Sequence, residues 1–234
     1  AGAPLFSQVT DAALSTVGGF AGCHDGALLT VAWSPDDGRI LTGGGPSGPG
    51  DAAEACAWDG NSTALLQEID APDTTAVSAV AWSPTGDRLA LLLDDRIGLY
   101  GGTSRLWQAW IPLGASFSTG GRRMTWHPDG DRVAFSAEGG DLVGVADLDA
   151  SAAAVWFQAD GPIGDLQYSH DGQWLAVGLA GGGIQVVDAS SGALAATLAT
   201  SGTVAALSWS PDDATLAVGG EAPEVQVLQL IYGN

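Results

Sequence analysis

Three histidines, two cysteines and a scatter of carboxylates are the side chains of this chain best suited to chemistry. Cys23, His24 and Cys56 have the ligand types of a zinc site, but three ligands make it a partial one. His127 and His170 stand in separate stretches, each at the head of a turn sequence, His127-Pro128-Asp129-Gly130 and His170-Asp171-Gly172. Cleavage of a glycosidic bond needs two carboxyl groups flanking that bond. Among segments patterned as buried strands Asp165 alone qualifies; Asp36, Asp37, Asp129, Asp171 and Asp212 fall in turns, where Asp builds the turn itself. No Gly-x-Ser-x-Gly elbow occurs, and no dinucleotide fingerprint joins a strand to a helix. The glycine-rich stretch 43–53 lacks a following Gly-Lys-Ser/Thr, so it reads as a flexible, contact-bearing connection and not as a phosphate cradle. The expectation is no catalytic centre, no metal and no cofactor, with Cys23 and Cys56 as two buried thiols and not a disulfide.

Charge narrows the partners. The chain carries 27 acidic residues against seven basic ones, all arginine, for a net charge of −20. Phosphate backbones and anionic lipid surfaces are bound through Lys and Arg patches, so neither nucleic acid nor direct membrane insertion is expected. No apolar run is long enough for a membrane-spanning helix. A soluble protein is expected, with the cytoplasm or the periphery of a membrane complex favoured, and the oligomeric state left open.

The elements that must position these residues come as a repeat. Val31-Ala32-Trp33-Ser34-Pro35-Asp36-Asp37-Gly38 recurs around Trp82, Trp126, Tyr168 and Trp209, at spacings of about 40–50 residues. Two residues before each aromatic stands an apolar residue: Val31, Val80, Met124, Leu166 or Leu207. Seven after it stands Ile40, Leu89, Val133, Leu175 or Leu216. Period-two patterning on both sides of a Ser-Pro-Asp-Gly turn predicts a hairpin. A third strand follows, carrying Ile97 and Leu99, Val143 and Val145, Ile184 and Val186, or Val225 and Val227, with Ala55 and Ala57 in the first copy. A fourth is expected near Leu65, Leu106, Val155 and Leu194. Each unit is apolar on both faces and needs neighbours to bury it.

The apolar-x-aromatic-Ser-Pro-Asp-Gly signature, in five phased copies over residues 12–230, resembles the WD-repeat family of β-propellers. The dipeptide that names the family survives as Trp58-Asp59 alone. The resemblance implies an all-β, closed propeller of four-stranded antiparallel blades, five in number. It forms one domain over 1–234, with repeats at about 28–70, 77–111, 122–158, 163–199 and 203–230. An N-terminal strand at about 12–20 closes the last blade. Alternatively, residues 1–20 are the second half of a further blade, and the parent ring has more than five. The family also implies a polar network within a blade, which His24, Thr42 and Trp58 can supply, with Asp51 as a fourth member.

The family further implies a non-catalytic protein–protein interaction scaffold, here a peripheral subunit of a larger assembly; a small-molecule or carbohydrate-binding propeller is the alternative. Candidate partner-binding residues are Trp107, Trp110, Trp156, Trp174 and Arg122, together with the 43–53 loop. Trp107 and Trp110, three apart, are expected on opposite sides of one strand. Arg123 and Asp165 share a repeat position in adjacent copies, which predicts an ion pair near the central channel.

Overall fold

Each repeat aromatic ends the first strand of a sheet. The computed structural model describes residues 23–24, 26–45, 53–71, 76–104, 107–114, 117, 121–137, 139–221 and 225–229. Sheet one comprises β1 (Leu28–Trp33), β2 (Arg39–Gly44), β3 (Ala53–Asp59) and β4 (Leu65–Ala71). Sheet two comprises β5 (Ala79–Trp82), β6 (Arg88–Leu92), β7 (Arg96–Gly101) and β8 (Trp107–Pro112). Sheet three holds β9 (Gly121–Trp126), β10 (Arg132–Ala137), β11 (Leu142–Asp147) and β12 (Ala152–Gln158). Sheet four holds β13 (Ile163–Tyr168), β14 (Trp174–Leu179), β15 (Ile184–Asp188) and β16 (Leu194–Leu198). The described part of sheet five is β17 (Ala206–Trp209), β18 (Thr215–Gly219) and β19 (Gln226–Gln229). In every sheet the strands lie in chain order and pair antiparallel. The five sheets are consistent with propeller blades.

The hairpins form because the turn chemistry repeats. Four residues after each aromatic the backbone is left-handed: Asp37, Gly86, Gly130, Gly172 and Asp213 all have φ between 53° and 80°. Glycine enters that region without a Cβ penalty, and Asp is among the few residues that tolerate it. Ser34, Ser83, Ser169 and Ser210 then bridge the turn. Each hydroxyl donates to a turn carboxylate (Asp36, Asp87, Asp171 or Asp212) and accepts the N–H of the residue opening the second strand.

Sheets pack face to face in sequence order. Leu41, Ala55, Ala57 and Ile69 of sheet one meet Val80, Trp82, Leu89 and Leu91 of sheet two. Sheet two then meets Trp126, Val133 and Phe135 of sheet three, and the same pattern joins sheets three to four and four to five. The first strands β1, β5, β9, β13 and β17 neighbour one another in that order. They are stitched as well as packed. Thr30 Oγ1 accepts the N–H of Val80 at 3.3 Å, and the residue at the same repeat position in copy four, Asp165, accepts the N–H of Leu207 at 2.7 Å.

The outer faces of the arc differ. Val31 and Trp33 are 60% and 54% exposed, whereas their repeat counterparts Val80 and Trp82 are each 7% exposed. Val225 and Val227 of sheet five are likewise exposed, where Ile184 and Val186 of sheet four are buried. An apolar residue at a repeat position is buried only if a neighbouring sheet covers that position.

Two expectations are corrected. Cys23 and Cys56 form a disulfide, not two thiols. The pairing was not legible because their meeting depends on how the segment before β1 folds back over β3. Trp107 and Trp110 do not project to opposite sides; their ring centroids lie 6.3 Å apart. A bulge between the Leu99–Ala109 and Tyr100–Trp107 pairs adds one residue to β8, which returns the two indoles to one side. The expected closing strand at 12–20, Asp51 and most of the 43–53 loop lie outside the described residues, although Gly43 and Gly44 belong to β2.

Candidate interaction site

At the start of their first strands, sheets three, four and five enclose a recess of about 370 Å³. Arg123, Pro162, Gly164, Thr203, Val204 and Glu221 are among the residues lining it. Arg123 comes from β9. Its Nε donates to the carbonyl oxygen of Gly164 at 2.6 Å and lies 3.5 Å from Asp165 Oδ1. Asp165 Oδ2 in turn takes the Leu207 N–H, so one carboxylate ties three sheets together. Burial pushes the Asp165 carboxyl above its ordinary range, opposed by the N–H groups of Leu207 and Leu166 and by the Arg123 charge. The Arg123 side chain remains 41% exposed at the recess. Thr203, Glu221 and small or apolar residues share the recess with it. Among the described lining residues there is one carboxylate, Glu221, and no aromatic ring.

The four candidate tryptophans separate by environment. Trp107 is 56% exposed at the outer strand of sheet two. Trp110 is half-buried; it stacks edge-on against Tyr100 and carries the Arg96 guanidinium 4.9 Å from its ring centroid. Trp156 packs beneath the β15–β16 turn at Gly192, and Trp174 packs against the core between sheets four and five. Trp156 and Trp174 are therefore committed to packing between sheets, and Trp107 is the accessible indole of the four. For Arg122 the structure describes the backbone in β9. Trp33 was missed as an exposed aromatic because the repeat pattern marks it as core. Glu221 and Thr203 were missed because they lie in connections without a motif.

The first sheet carries a polar network. Trp58 Nε1 donates to Thr42 Oγ1 at 2.7 Å, and His24 Nε2 lies 2.8 Å from the same oxygen. Burial lowers the His24 pKa, favouring the neutral ring. Cys23, His24 and Cys56 bring their ligand atoms within 4.8 Å of one another, the one such cluster among the described residues. The remaining histidines serve turns. His170 Nδ1 and the backbone N–H groups of His170 and Asp171 converge on the Asp213 carboxylate, and His127 Nε2 meets the Gly172 carbonyl oxygen at 3.0 Å.

Repeated blade-like antiparallel sheets, each opened by the same aromatic and turn, are similar to the blades of WD-repeat β-propellers. Residues 124–203, spanning sheets three and four, match the family model described as the anaphase-promoting complex subunit 4 WD40 domain. No curated protein matches the chain. WD40 domains are in general protein-interaction scaffolds and are typically non-catalytic. Among the described residues, no helix is long and apolar enough to cross a membrane.

Proposed function

We propose that this protein is a non-catalytic scaffold, a peripheral subunit of a larger protein assembly, and that a partner chain docks at the Arg123 recess. The observation that carries this reading is the Arg123 side chain, 41% exposed in a recess it shares with Thr203, Glu221 and small or apolar residues. The matched family is a domain of a complex subunit, which supports the assembly reading. The carbohydrate-binding alternative wants an aromatic platform and convergent carboxylates. The recess offers neither among its described residues, and the turn carboxylates are engaged with their own turns. Trp107 and Arg122 are proposed as further contacts at the rim, and the net charge of −20 supports protein partners over nucleic acid.

The proposed frame is one domain over 1–234 with five blades in a closed ring. In it the bare faces of sheets one and five cover each other, and residues 12–20 add the fourth strand beside β19. Affinity capture from native extract, with mass spectrometry, tests the function. Wild type is expected to bring down a stoichiometric set of partners that Arg123→Glu and Trp107→Ala lose. Recovery of the protein as a free monomer would count against the proposal.

A further inference from the structure

The pair Cys23–Cys56 sits beside an imidazole nitrogen that the surrounding network leaves unused. Thr42 is paired across the β2–β3 ladder with Cys56. Its hydroxyl accepts from Trp58 Nε1 and donates to the Cys56 carbonyl oxygen at 3.3 Å. Its second lone pair is then open to a proton from His24 Nε2, 2.8 Å away. That arrangement selects the Nε2–H tautomer and leaves Nδ1 as a bare acceptor. Nδ1 is buried and has no hydrogen-bond partner among the described residues. One ring nitrogen of His24 and the two sulfurs lie within 4.8 Å of one another. Zinc bonds of about 2.3 Å to sulfur and about 2.0 Å to nitrogen set ligand atoms some 3.5 Å apart in a tetrahedral site, within small side-chain motions of this cluster.

We propose that Cys23, Cys56 and His24 form a two-state site: a disulfide when oxidised and, after reduction by a dithiol, a two-cysteine, one-histidine site for a thiophilic divalent cation such as zinc. In the first step the disulfide takes two electrons and two protons from the dithiol, which is itself oxidised to a disulfide. In the second step the cation displaces both thiol protons to solvent and accepts lone pairs from two thiolates and from Nδ1. Thr42, accepting from Nε2, orients the ring in the way that outer partners orient metal-bound histidines. Three protein ligands leave a fourth position for water.

The site lies on the first sheet, apart from the Arg123 recess, and stands or falls independently of the docking proposal. The test is a titration of the full chain with cobalt(II), before and after reduction with a phosphine, watching thiolate-to-cobalt charge-transfer absorption, with far-ultraviolet circular dichroism recorded alongside. Reduced wild type is expected to develop the band to saturation at one equivalent and to lose it on addition of zinc. The oxidised protein should develop none. His24→Ala should keep both thiols and bind about tenfold or more weakly. Absence of the band in reduced wild type, folded or not, overturns the proposal. So does an unchanged affinity in His24→Ala, which would mark a simple dithiol chelate.

Discussion

Thr42 is the residue on which the polar network of the first sheet turns, because its single hydroxyl serves the His24 imidazole and the Trp58 indole together. Thr42→Val keeps the shape and removes that bridge. Loss of the buried hydroxyl is expected to cost about 1–3 kcal/mol, read as a lowered urea midpoint with an unchanged slope. Asp165 supplies a second residue-scale test. Asp165→Ala removes the acceptor of the Leu207 N–H and the partner of Arg123, and should cost about 1–3 kcal/mol. Asp165→Asn keeps an acceptor for Leu207 and should cost distinctly less in the same measurement. Both residues were legible as candidates in the sequence, Thr42 through the family pattern and Asp165 through its repeat position. The Arg123 partner of Asp165 was legible from their shared repeat position; the Leu207 N–H was not, since that bond is set by distance and not by spacing along the chain.

The hairpin turns decide how the elements respond to acid. Hydroxyl and backbone donors hold the carboxyls of Asp36, Asp59, Asp87 and Asp212 below their ordinary range, and the Ser190 and Ser191 donors take Asp188 to about 2. A carboxyl whose folded pKa is depressed stabilises the fold above its unfolded value and loses that contribution as pH falls through its folded value. Asp165, whose pKa is raised, has the opposite sign: its contribution is present at low pH and is lost as pH rises through its folded value. The depressed group is the more numerous. The urea midpoint, followed by circular dichroism at constant salt, is therefore expected to fall between about pH 4 and pH 2. Asp188→Asn should flatten the lowest part of that profile. The turns themselves were readable, since Ser, Pro, Asp and Gly encode them locally. The bulge in β8 was not, because an extra residue in one strand shows only against its partner strand.

Across the molecule, the two bare faces carry the open question of architecture. Val31 and Trp33 occupy positions that are buried, or at Met124 half-buried, in the following copies, and Val227 occupies a position buried in sheets two and four. If sheets one and five meet in a ring, Val31→Cys and Val227→Cys, introduced together with Cys23–Cys56 oxidised, should cross-link within a single chain under mild oxidation. Non-reducing electrophoresis should then show a compact monomer. Dimers and higher species would instead mean that the faces are covered by other copies, and the closed five-blade ring would be wrong.

What the sequence determined alone was local and periodic: five aromatic-led hairpins, their turn residues, and third and fourth strands apolar on two faces. These depend on backbone preference and period-two patterning, which act over a few residues. Tertiary structure decided most of what joins residues far apart in the chain. It set the Cys23–Cys56 bond and the shared side of Trp107 and Trp110. It set the recess among three sheets at Arg123 and the exposure of Trp33, whose identical repeat partners are core. Burial belongs to a pair of surfaces, and one repeat's residues specify only half of that pair.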